Sequence, residues 1–444
     1  MAIADVIGRA IDSHELRPGD RLPPQRQLAH ALEVDLTTIT RAYAEARRRG
    51  LIEATVGRGT FIRGAAVPAG HAPPVSVDMS MNPPPLPDTP SLRQMLREGL
   101  TGLLDRTDLG SLMSYHLGAG MPEDRAAAAA WLRPVLGEAD PARTLVCTGA
   151  QSTFIALLTL LARPGDVILA APLTYPRFRA AAAQLGVRLA AVAADEEGLL
   201  PEALDMACRT LAPKAVYCVP TIQNPTTTTM SPARRGAIAE VVLRHRLSVI
   251  EDDAYGLLPR TPLPAIATLA PEVTYYVGTL AKCLSPGLRI AYAVAPGKVE
   301  ATRLEAAIRA TVQMPHPLMT AMVSGWIRDG QAAALRDGVR REIAARQAMA
   351  REILPAGSFR ADPDGPHLWL SLPPGWHRMA FGAHVRGLGL TVAPSDAFVV
   401  GEAAPNAVRI GLGAAENHTS LGVALRAVAG VLAAEPPPEL GDIV

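Results

Sequence analysis

The order of apolar and polar positions divides the chain into two regions with different periodicities. In residues 1–64, apolar positions recur at the three- and four-residue spacing of amphipathic helices, which predicts three short helices in IADVIGRAIDSHEL, QRQLAHALEV and DLTTITRAYAEARRRGLI. The third begins with capping residues and ends at Gly50. Alternation around Gly57 and Gly59 in IEATVGRGTFIR then predicts a hairpin. Three short helices and a hairpin are typical of a winged helix-turn-helix.

Residues 65–77, AAVPAGHAPPVSV, follow neither pattern. They are rich in Ala, Pro and Gly and almost free of charge, which predicts a linker. If extended at about 3.1 Å per residue, such a Pro-rich stretch spans on the order of 40 Å. The linker separates residues 1–64 from a second region, residues 78–444.

In this second region, apolar runs that suit buried strands alternate with helical stretches such as QSTFIALLTLLA and PARRGAIAEVVLRHR. The apolar runs are TLVCTG, DVILAA, VRLAAVA, AVYCVP, LSVIED, TYYVGT and RIAYAVA. The alternation predicts a mainly parallel sheet that is covered by helices on both faces. We expect a large domain over about residues 115–298. A smaller α/β domain is expected over about 299–444, where the chain becomes helix-rich and then mixed.

Composition narrows the class of protein. The 444 residues are 49% apolar and 19% charged, which suits two or three folded domains, and the net charge of +1 excludes a strongly polycationic or polyanionic chain. The four cysteines form no C-x-x-C pair and the histidines show no ligand spacing, so neither a disulfide framework nor a metal site is expected. Without a membrane-length apolar run or a signal-peptide pattern, we expect a cytoplasmic protein.

Lysine is rare in this chain, and one lysine lies in a suggestive place. Of 43 basic residues, only Lys214, Lys282 and Lys298 are lysine. Lys282 stands between an apolar strand and a Ser-Pro-Gly turn in GTLAKCLSPGLR. A lysine amine can lose its proton and form a Schiff base, whereas an arginine cannot. The alternative is that Lys282 is an ordinary surface lysine, one of only three in the chain. The residues around Lys282 must distinguish these two interpretations.

Groups that suit a phosphate lie near Lys282 or at a predicted strand end. Thr279 and Arg289 flank the lysine and offer a hydroxyl and a guanidinium. In CTGAQSTF a strand turns into a helix, where the backbone N–H groups of Ala150 and Gln151 would face an anion.

Further side chains suit an aromatic ring and a carboxylate. Asp252 in VIEDDAYGLL ends a predicted strand and suits a pyridine nitrogen, with Tyr255 and Asn224 suited to a phenolic oxygen. Tyr175 would cover the ring, and Arg409, on the short apolar strand of NAVRIGLG, would bind a carboxylate. The alternatives are that Asp252 caps a turn, Tyr175 belongs to the core and Arg409 pairs with an internal acid.

The start of the third predicted helix carries side chains that suit nucleic acid. Thr37, Thr38 and Arg41 occupy the end that enters the major groove in helix-turn-helix proteins, and Arg58 lies at the hairpin tip. Residues 1–64 contain ten arginines and eight acids. Charge alone therefore leaves open a small helical bundle with solvated arginines.

Residues 1–64 resemble the winged-helix domain of the GntR family of bacterial repressors. The matching motifs are PGDRLPPQRQLA, TTITRAY and RGLIEATVGRGTFI. The resemblance implies that Arg26 and Arg41 contact DNA, with Thr38 and Arg58 on or near its backbone. One departure is Leu36, where the family often has a polar or basic residue, and it bears on base specificity.

The segment from about residue 78 resembles the fold-type I pyridoxal-phosphate aminotransferases, close to the kynurenine/aminoadipate type. The motifs are YHLGAGMPEDR, TGAQSTF, PTIQNPTTTTM, EDDAYG and GTLAKCLSPGLR. The resemblance implies pyridoxal 5'-phosphate at Lys282 and the roles given above for its neighbours. It also implies a homodimer in which Tyr115 reaches the phosphate of the neighbouring subunit. Ala281, where relatives often have Ser, and the QNPTTTTM loop depart from the family pattern.

A GntR-type winged helix joined to an aminotransferase-like domain is the architecture of the MocR regulators. The resemblance implies a bacterial transcription factor that binds paired operator half-sites and senses an amino compound or pyridoxal phosphate. One alternative is an active aminotransferase with a fused DNA-binding module. Another is a DNA-binding protein with a cofactor-free domain.

Overall fold

The structure is a computed structural model and describes residues 5–6, 8, 10, 21–23, 25–32, 34–49, 51–55, 59–62, 76–116, 118–401 and 403–434. The chain divides into two compact units, Met1–Pro74 and Val75–Val444. None of the helices in these described ranges combines the length and the hydropathy that crossing a membrane requires.

The first unit has the order of elements of a winged helix. In chain order these are β1 (Arg21–Leu22), α1 (Gln25–Ala31), α2 (Leu36–Arg48), β2 (Ile52–Thr55) and β3 (Gly59–Ile62). The strands form an antiparallel sheet in the order β1–β3–β2, which includes the predicted hairpin and adds β1, a strand that the sequence pattern did not indicate. The first predicted helix falls mostly outside the described residues.

Helix α2 presents one face to the core of this unit and the opposite face to solvent. It begins at Leu36 because the Asp35 carboxylate caps it, accepting a hydrogen bond from the Thr37 N–H at 2.7 Å. Its buried residues are Ile39, Ala42, Tyr43 and Ala46. The Tyr43 hydroxyl donates to the Pro23 carbonyl at 2.8 Å, which ties the helix to the chain ahead of α1.

The second unit is α/β throughout. Its helices are α3 (Leu92–Arg106), α4 (Leu109–Leu112), α5 (Pro122–Leu136), α6 (Gly149–Leu161), α7 (Pro176–Gln184), α8 (Pro201–Leu211), α9 (Pro232–His245), α10 (Ile266–Leu269), α11 (Lys298–Val312), α12 (Pro317–Arg328), α13 (Gln331–Ile353), α14 (Arg378–Gly387) and α15 (His418–Ala433). Its strands are β4 (Val77–Asp78), β5 (Thr144–Cys147), β6 (Val167–Ala170), β7 (Arg188–Ala191), β8 (Ala194–Asp195), β9 (Gly198–Leu199), β10 (Ala215–Cys218), β11 (Ser248–Asp252), β12 (Thr274–Thr279), β13 (Ala291–Val294), β14 (Phe359–Arg360), β15 (His367–Ser371), β16 (Leu390–Thr391), β17 (Ala393–Pro394) and β18 (Ala407–Gly411).

The large sheet confirms the predicted mainly parallel architecture. Its strand order is β5–β13–β12–β11–β10–β6–β7, and every predicted apolar run supplies one of these strands. Strand β13 is antiparallel to both of its neighbours, and the other pairs are parallel. Strands β11 and β12 end at Asp252 and Thr279, so parallel pairing brings two predicted site residues to the same edge of the sheet.

A smaller four-stranded sheet, β14–β15–β18–β17, is packed on α14, α15 and the end of α13 around its own apolar core. Val77 pairs with Leu390 and belongs to this core, although the predicted linker extended through residue 77. Helix α11 was assigned to the smaller domain from the sequence. It instead buries Leu304 and Ile308 in the core shared with α6 and the large sheet, because its apolar face fits that helix layer.

Candidate functional site

Lys282 lies in the turn that follows β12. Its Nζ donates a hydrogen bond to the main-chain oxygen of Asn82 at 2.6 Å and lies 5.9 Å from the centre of the Tyr255 ring. Burial and the nearby Arg409 guanidinium lower the pKa of Lys282 to about 8, although the Asp252 carboxylate opposes them. At pH 7 about a tenth of this amine is therefore unprotonated and nucleophilic, far more than of an ordinary lysine.

Asp252 is the last residue of β11 and is buried. Its Oδ2 accepts a hydrogen bond from the Tyr217 hydroxyl at 2.5 Å, while Oδ1 has no hydrogen-bond partner among the described residues. Burial raises the pKa of Asp252 to about 7, and the Tyr217 hydrogen bond opposes that rise. The Tyr217 ring is itself held by stacking on Phe178, with ring centres 3.7 Å apart. One carboxylate oxygen is thus fixed by the protein and the other is available to a ligand N–H.

Arg409 is buried on β18, and its described partners are neutral. Nη1 donates to the Asn224 side-chain oxygen at 2.7 Å, and Nη2 donates to the main-chain oxygen of Ser80. Nε has no partner in the part of the chain that the structure describes, and the guanidinium lies 5.1 Å from the centre of the Phe398 ring. Within those described ranges no carboxylate forms an ion pair with Arg409, so its charge is available to an anionic ligand.

Tyr255 is held by two residues that the sequence analysis did not single out. The Asn82 Nδ2 donates to the Tyr255 hydroxyl at 3.0 Å and lies 3.1 Å from His367 Nδ1. All three side chains are buried, and burial raises the pKa of Tyr255. Asn82, His367 and Tyr217 are therefore additions to the predicted site. A polar side chain within an apolar or Pro-rich run, as in AVYCVP and MSMNPPP, is the signal that could have identified Tyr217 and Asn82.

The candidate phosphate site is at the start of α6. Gly149 has φ +77°, and a Cβ there would lie 2.8 Å from Nη2 of Arg289, so the guanidinium lies against this helix N-terminus. Ala150 and Gln151 occupy the first turn of α6, as predicted from the sequence. The Thr279 hydroxyl donates to the Ile290 oxygen at 3.3 Å and accepts from the Ala281 N–H, so its role toward a phosphate stays a prediction.

The two remaining tyrosines of the prediction differ in their surroundings. Tyr175 directly precedes α7, is half-buried and packs against the apolar core. Burial raises its pKa, and so does the charge of Asp252, which lies close to it. Tyr115 is 81% exposed and makes no described contact with the other site residues of this chain. The described residues contain no cluster of His, Cys, Asp and Glu side chains that suits a metal ion.

The candidate DNA-binding residues in α2 are exposed. Thr38 and Arg41 face solvent near its N-terminus, whereas the Thr37 hydroxyl donates to Asp35 Oδ1 at 2.5 Å and so completes the helix cap. Arg48 and Arg49 pair with Glu45, but no described acid pairs with Arg41. Arg26 lies in α1, where its side chain falls outside the described structure, and Arg58 also lies outside it.

Comparison with known proteins gives the relationships of both units. Residues 75–423 match the family "Aminotransferase class I and II", and residues 1–62 match "Bacterial regulatory proteins, gntR family". The HTH-type transcriptional regulator YdeF of Bacillus subtilis is 30% identical over 415 residues, which cover 92% of this chain and 89% of YdeF. The chain belongs to the MocR-type regulators of the GntR family.

This MocR-type regulator is also similar to the vitamin B6 salvage pathway transcriptional repressor PtsJ of Salmonella typhimurium. The two are 29% identical over 410 residues, or 90% of each chain. Among solved structures, LysN, the alpha-aminoadipate aminotransferase of Thermus thermophilus, matches with a TM-score of 0.72 and 24% identity, covering 81% of the regulator and 92% of LysN. This likeness confirms the predicted fold class of the second unit.

Proposed function

We propose that this regulator holds pyridoxal 5'-phosphate at Lys282 and changes its binding to operator DNA in response to an amino compound or to the cofactor itself. The observation that carries the proposal is a lysine with a pKa of about 8 beside a buried carboxylate that has one free oxygen. Lys214 differs from it, since its side chain is half exposed and pairs with Asp166 at the surface.

The residues present fit this cofactor at two points. Asp252 Oδ1 is an unpartnered acceptor for a ring N–H among the described residues. The close approach of Arg289 to Gly149 puts a guanidinium and helix N–H groups where a phosphate would lie. The name of the relative PtsJ, a repressor of vitamin B6 salvage, supports a ligand of the same class.

When bound, pyridoxal phosphate supplies an aldehyde carbon and an electron-withdrawing ring. Lys282 would offer its amine to the aldehyde, and Asp252 would accept a hydrogen bond from the ring N–H. Asn224 and Tyr255 would hydrogen-bond the phenolic oxygen, and Tyr175 would lie against the ring. Thr279, Arg289 and the N-terminus of α6 would bind the phosphate.

The second ligand is an amino compound that carries a carboxylate. Arg409 is buried, is held by the neutral groups of Asn224 and Ser80 and has a free Nε among its described surroundings. A carboxylate would satisfy it with two parallel hydrogen bonds. The ligand's amine would then lie toward Lys282. Arg409 is close enough to Lys282 for its charge to lower the pKa of the Lys282 amine.

The DNA-binding form is a homodimer. Tyr115 is exposed in this chain, which is consistent with a role at the phosphate of a neighbouring subunit. Two copies of α2 would enter major grooves at half-sites whose centres lie about 34 Å, or one helical turn, apart. Thr37, Thr38 and Arg41 would contact DNA from α2, with Arg26 and Arg58 nearby. A regulator that acts on the chromosome works in the bacterial cytoplasm.

A second candidate function is amino-group transfer with turnover. Lys282, Asp252, Tyr255 and Arg409 together are the groups such a reaction needs. The family relationship favours a regulator, in which a single conversion of bound cofactor by an amino acid is still compatible with sensing.

The test is the visible absorption spectrum of the purified protein as pyridoxal phosphate, and then a panel of amino acids, is added. We expect a visible band that appears with the cofactor and shifts with one class of amino compound, without continued release of keto acid. Steady release at roughly 1 per second or faster would make the protein an enzyme that binds DNA. The absence of any band would overturn the cofactor proposal.

A further inference from the structure

The ligand site is crossed by the chain that enters the second unit. Residues Asp78–Asn82, which we call the crossing segment, begin at the last residue of β4, where Val77 and Asp78 pair with Leu390 and Thr391. The crossing segment therefore connects the N-terminal unit, through the chain that precedes residue 76, to the ligand site.

Three main-chain oxygens tether the crossing segment. The Met79 oxygen accepts from the Gly411 N–H at 2.8 Å, the Ser80 oxygen accepts from Arg409 Nη2, and the Asn82 oxygen accepts from Lys282 Nζ at 2.6 Å. The fit against β18 is close, because a Cβ at Gly411 would collide with the Met81 carbonyl. Two of the three tethers are thus donated by the two cations to which the proposed ligands bind.

The Asn82 side chain has one orientation, which His367 sets. His367 Nε2 lies 3.3 Å from the Gln223 oxygen, an acceptor, so Nε2 carries the ring proton. Burial, with the Arg409 charge, lowers the pKa of His367 to about 3, so the ring is neutral and Nδ1 is an acceptor. Asn82 must therefore turn its NH₂ group toward Nδ1 and toward the Tyr255 hydroxyl.

This orientation determines what Tyr255 can do. Because Asn82 donates to the phenol oxygen at 3.0 Å, the Tyr255 O–H proton is left for another acceptor, and the phenolic oxygen of the cofactor is the expected one. The Asn82 Oδ1 is buried without a hydrogen-bond partner among the described residues, so the amide is held by its NH₂ group.

We propose that Asn82 is a positioning residue of the ligand site and that its crossing segment shifts when ligands take over Lys282 and Arg409. The proposal rests on the proposed function. A carboxylate on Arg409 competes with the Ser80 oxygen, and a cofactor on Lys282 Nζ removes donors from the Asn82 oxygen. The Met79 tether and the pairing of β4 remain, so the shift is confined to residues 80–82.

Hydrogen–deuterium exchange of the full-length protein tests the shift. Adding pyridoxal phosphate and a responsive amino acid is expected to raise amide exchange in peptides that cover residues 80–82. The Ser80 N–H donates to Asp78 Oδ1 at 3.0 Å, and this turn should open more often once the two carbonyl tethers are released, on the order of fivefold for about 1 kcal/mol of lost stabilisation. Peptides from the buried strand β10 serve as the internal control. Unchanged exchange in residues 80–82, in protein that shows the visible band, would overturn this part while leaving cofactor binding intact.

Two variants test the positioning role. Asn82→Ala removes the donor to Tyr255, and Asn82→Asp keeps the shape but offers Tyr255 an acceptor, which diverts its proton. We expect the pH at which the visible band changes form to move by about 0.7 unit in Asn82→Ala and further in Asn82→Asp. Asn406→Ala is the matched control, because the described partners of the Asn406 side chain are Arg378 and Trp376, neither of which belongs to the ligand site.

The outcomes separate the inference from the proposed function. Equal pH profiles for Asn82→Ala, Asn82→Asp and Asn406→Ala would overturn the role of Asn82. If Asn82→Ala does not fold, the comparison of Asn82→Asp with Asn406→Ala decides alone. A wild-type protein without any visible band would instead overturn the proposed function itself.

Discussion

The two functional regions hold their side chains in opposite ways. On α2, Thr38 and Arg41 project into solvent from a helix that is anchored by its other face. In the ligand site, Asp252 and Arg409 are buried, and the hydrogen bonds of Tyr217 and Asn224 fix them before a ligand arrives. The first arrangement suits salt-dependent attraction to a phosphate backbone, and the second suits recognition of a small ligand by geometry.

The contrast also bears on how substitutions act. Removing an exposed cation takes away an interaction that water and salt already screen, so the loss of binding free energy is modest. A buried polar group that loses its partner bears an unsatisfied hydrogen bond, and the cost reaches about 1–3 kcal/mol. Substitutions in the ligand site are therefore expected to have large effects on ligand binding, and substitutions on α2 are expected to have small, graded effects on DNA binding.

The largest effect is expected for Lys282→Ala, which should abolish the visible band completely because no other amine takes its place. After reduction with borohydride, mass spectrometry should find the wild-type adduct on the peptide that contains Lys282. The chain offers matched controls in its only other lysines, Lys214→Ala and Lys298→Ala, which should keep the band. An adduct on Lys214 or Lys298 would contradict the assignment.

A second large effect is expected for Arg409→Lys. Losing the guanidinium fork should weaken binding of a carboxylate-bearing amino compound by about tenfold to a hundredfold, or roughly 1.4–3 kcal/mol. Calorimetric titration of the cofactor-loaded protein with the amino compound measures this affinity. The control is Arg346→Lys, since Arg346 is equally buried but donates to the main-chain oxygens of Leu412 and Ala415. It should lower the stability and leave ligand affinity unchanged.

A smaller and salt-dependent effect is expected for Arg41→Ala. If Arg41 contacts a phosphate, the slope of log affinity against log salt should flatten by about 0.9, and binding should weaken for every DNA sequence. Fluorescence anisotropy over a range of salt concentrations gives the slope. Arg48→Ala, on the same helix but paired with Glu45, should leave the slope nearly unchanged. Equal slopes for wild type and Arg41→Ala would remove Arg41 from the interface.

The smallest effect is expected for Tyr217→Phe in the cofactor-free protein. The folded-state pKa of Asp252 is raised from 3.8 to about 7, so its contribution to stability falls as pH rises from about 4 to 7. Removing the Tyr217 hydroxyl raises that pKa further, and the fall should continue to about pH 8. Denaturant unfolding across this range measures the free energy of unfolding.

Tyr276→Phe is the matched control for that measurement. Tyr276 is a buried tyrosine on the neighbouring strand β12, and its hydroxyl donates to Asp253 rather than to Asp252. Each variant removes the hydroxyl that donates to one buried carboxylate, Asp252 in Tyr217→Phe and Asp253 in Tyr276→Phe. The same pH dependence in Tyr217→Phe as in the wild-type protein would show that Tyr217 does not tune Asp252.

The elements and strand-end residues were predictable because their signals are local. The run TYYVGT is β12 to the residue, and Asp252 and Thr279 follow from the rule that ligands bind at strand ends. The partners of these residues were not predictable, because they come from distant positions. Lys282 and Asn82 are 200 residues apart, and Arg409 and Asn224 are 185 apart.

The placement of α11 failed for a related reason. Its apolar spacing showed that one face is buried but not which part of the fold covers that face. The helix was assigned to the smaller domain because it directly precedes that domain in the sequence. Tyr115 is the opposite case. Its motif suggested a role at the phosphate of a neighbouring subunit, but its described surroundings in one chain show no contact that tests this role.

The account's central claim is that occupancy of Lys282 changes DNA binding. The most direct measurement is the affinity of the full-length protein for a duplex selected from a random-sequence pool, with and without pyridoxal phosphate and a responsive amino acid. We expect the wild-type affinity to change by about fivefold or more, which corresponds to about 1 kcal/mol of coupling, and the Lys282→Ala affinity to stay constant. Equal affinities in wild-type protein that shows the visible band would contradict the claim.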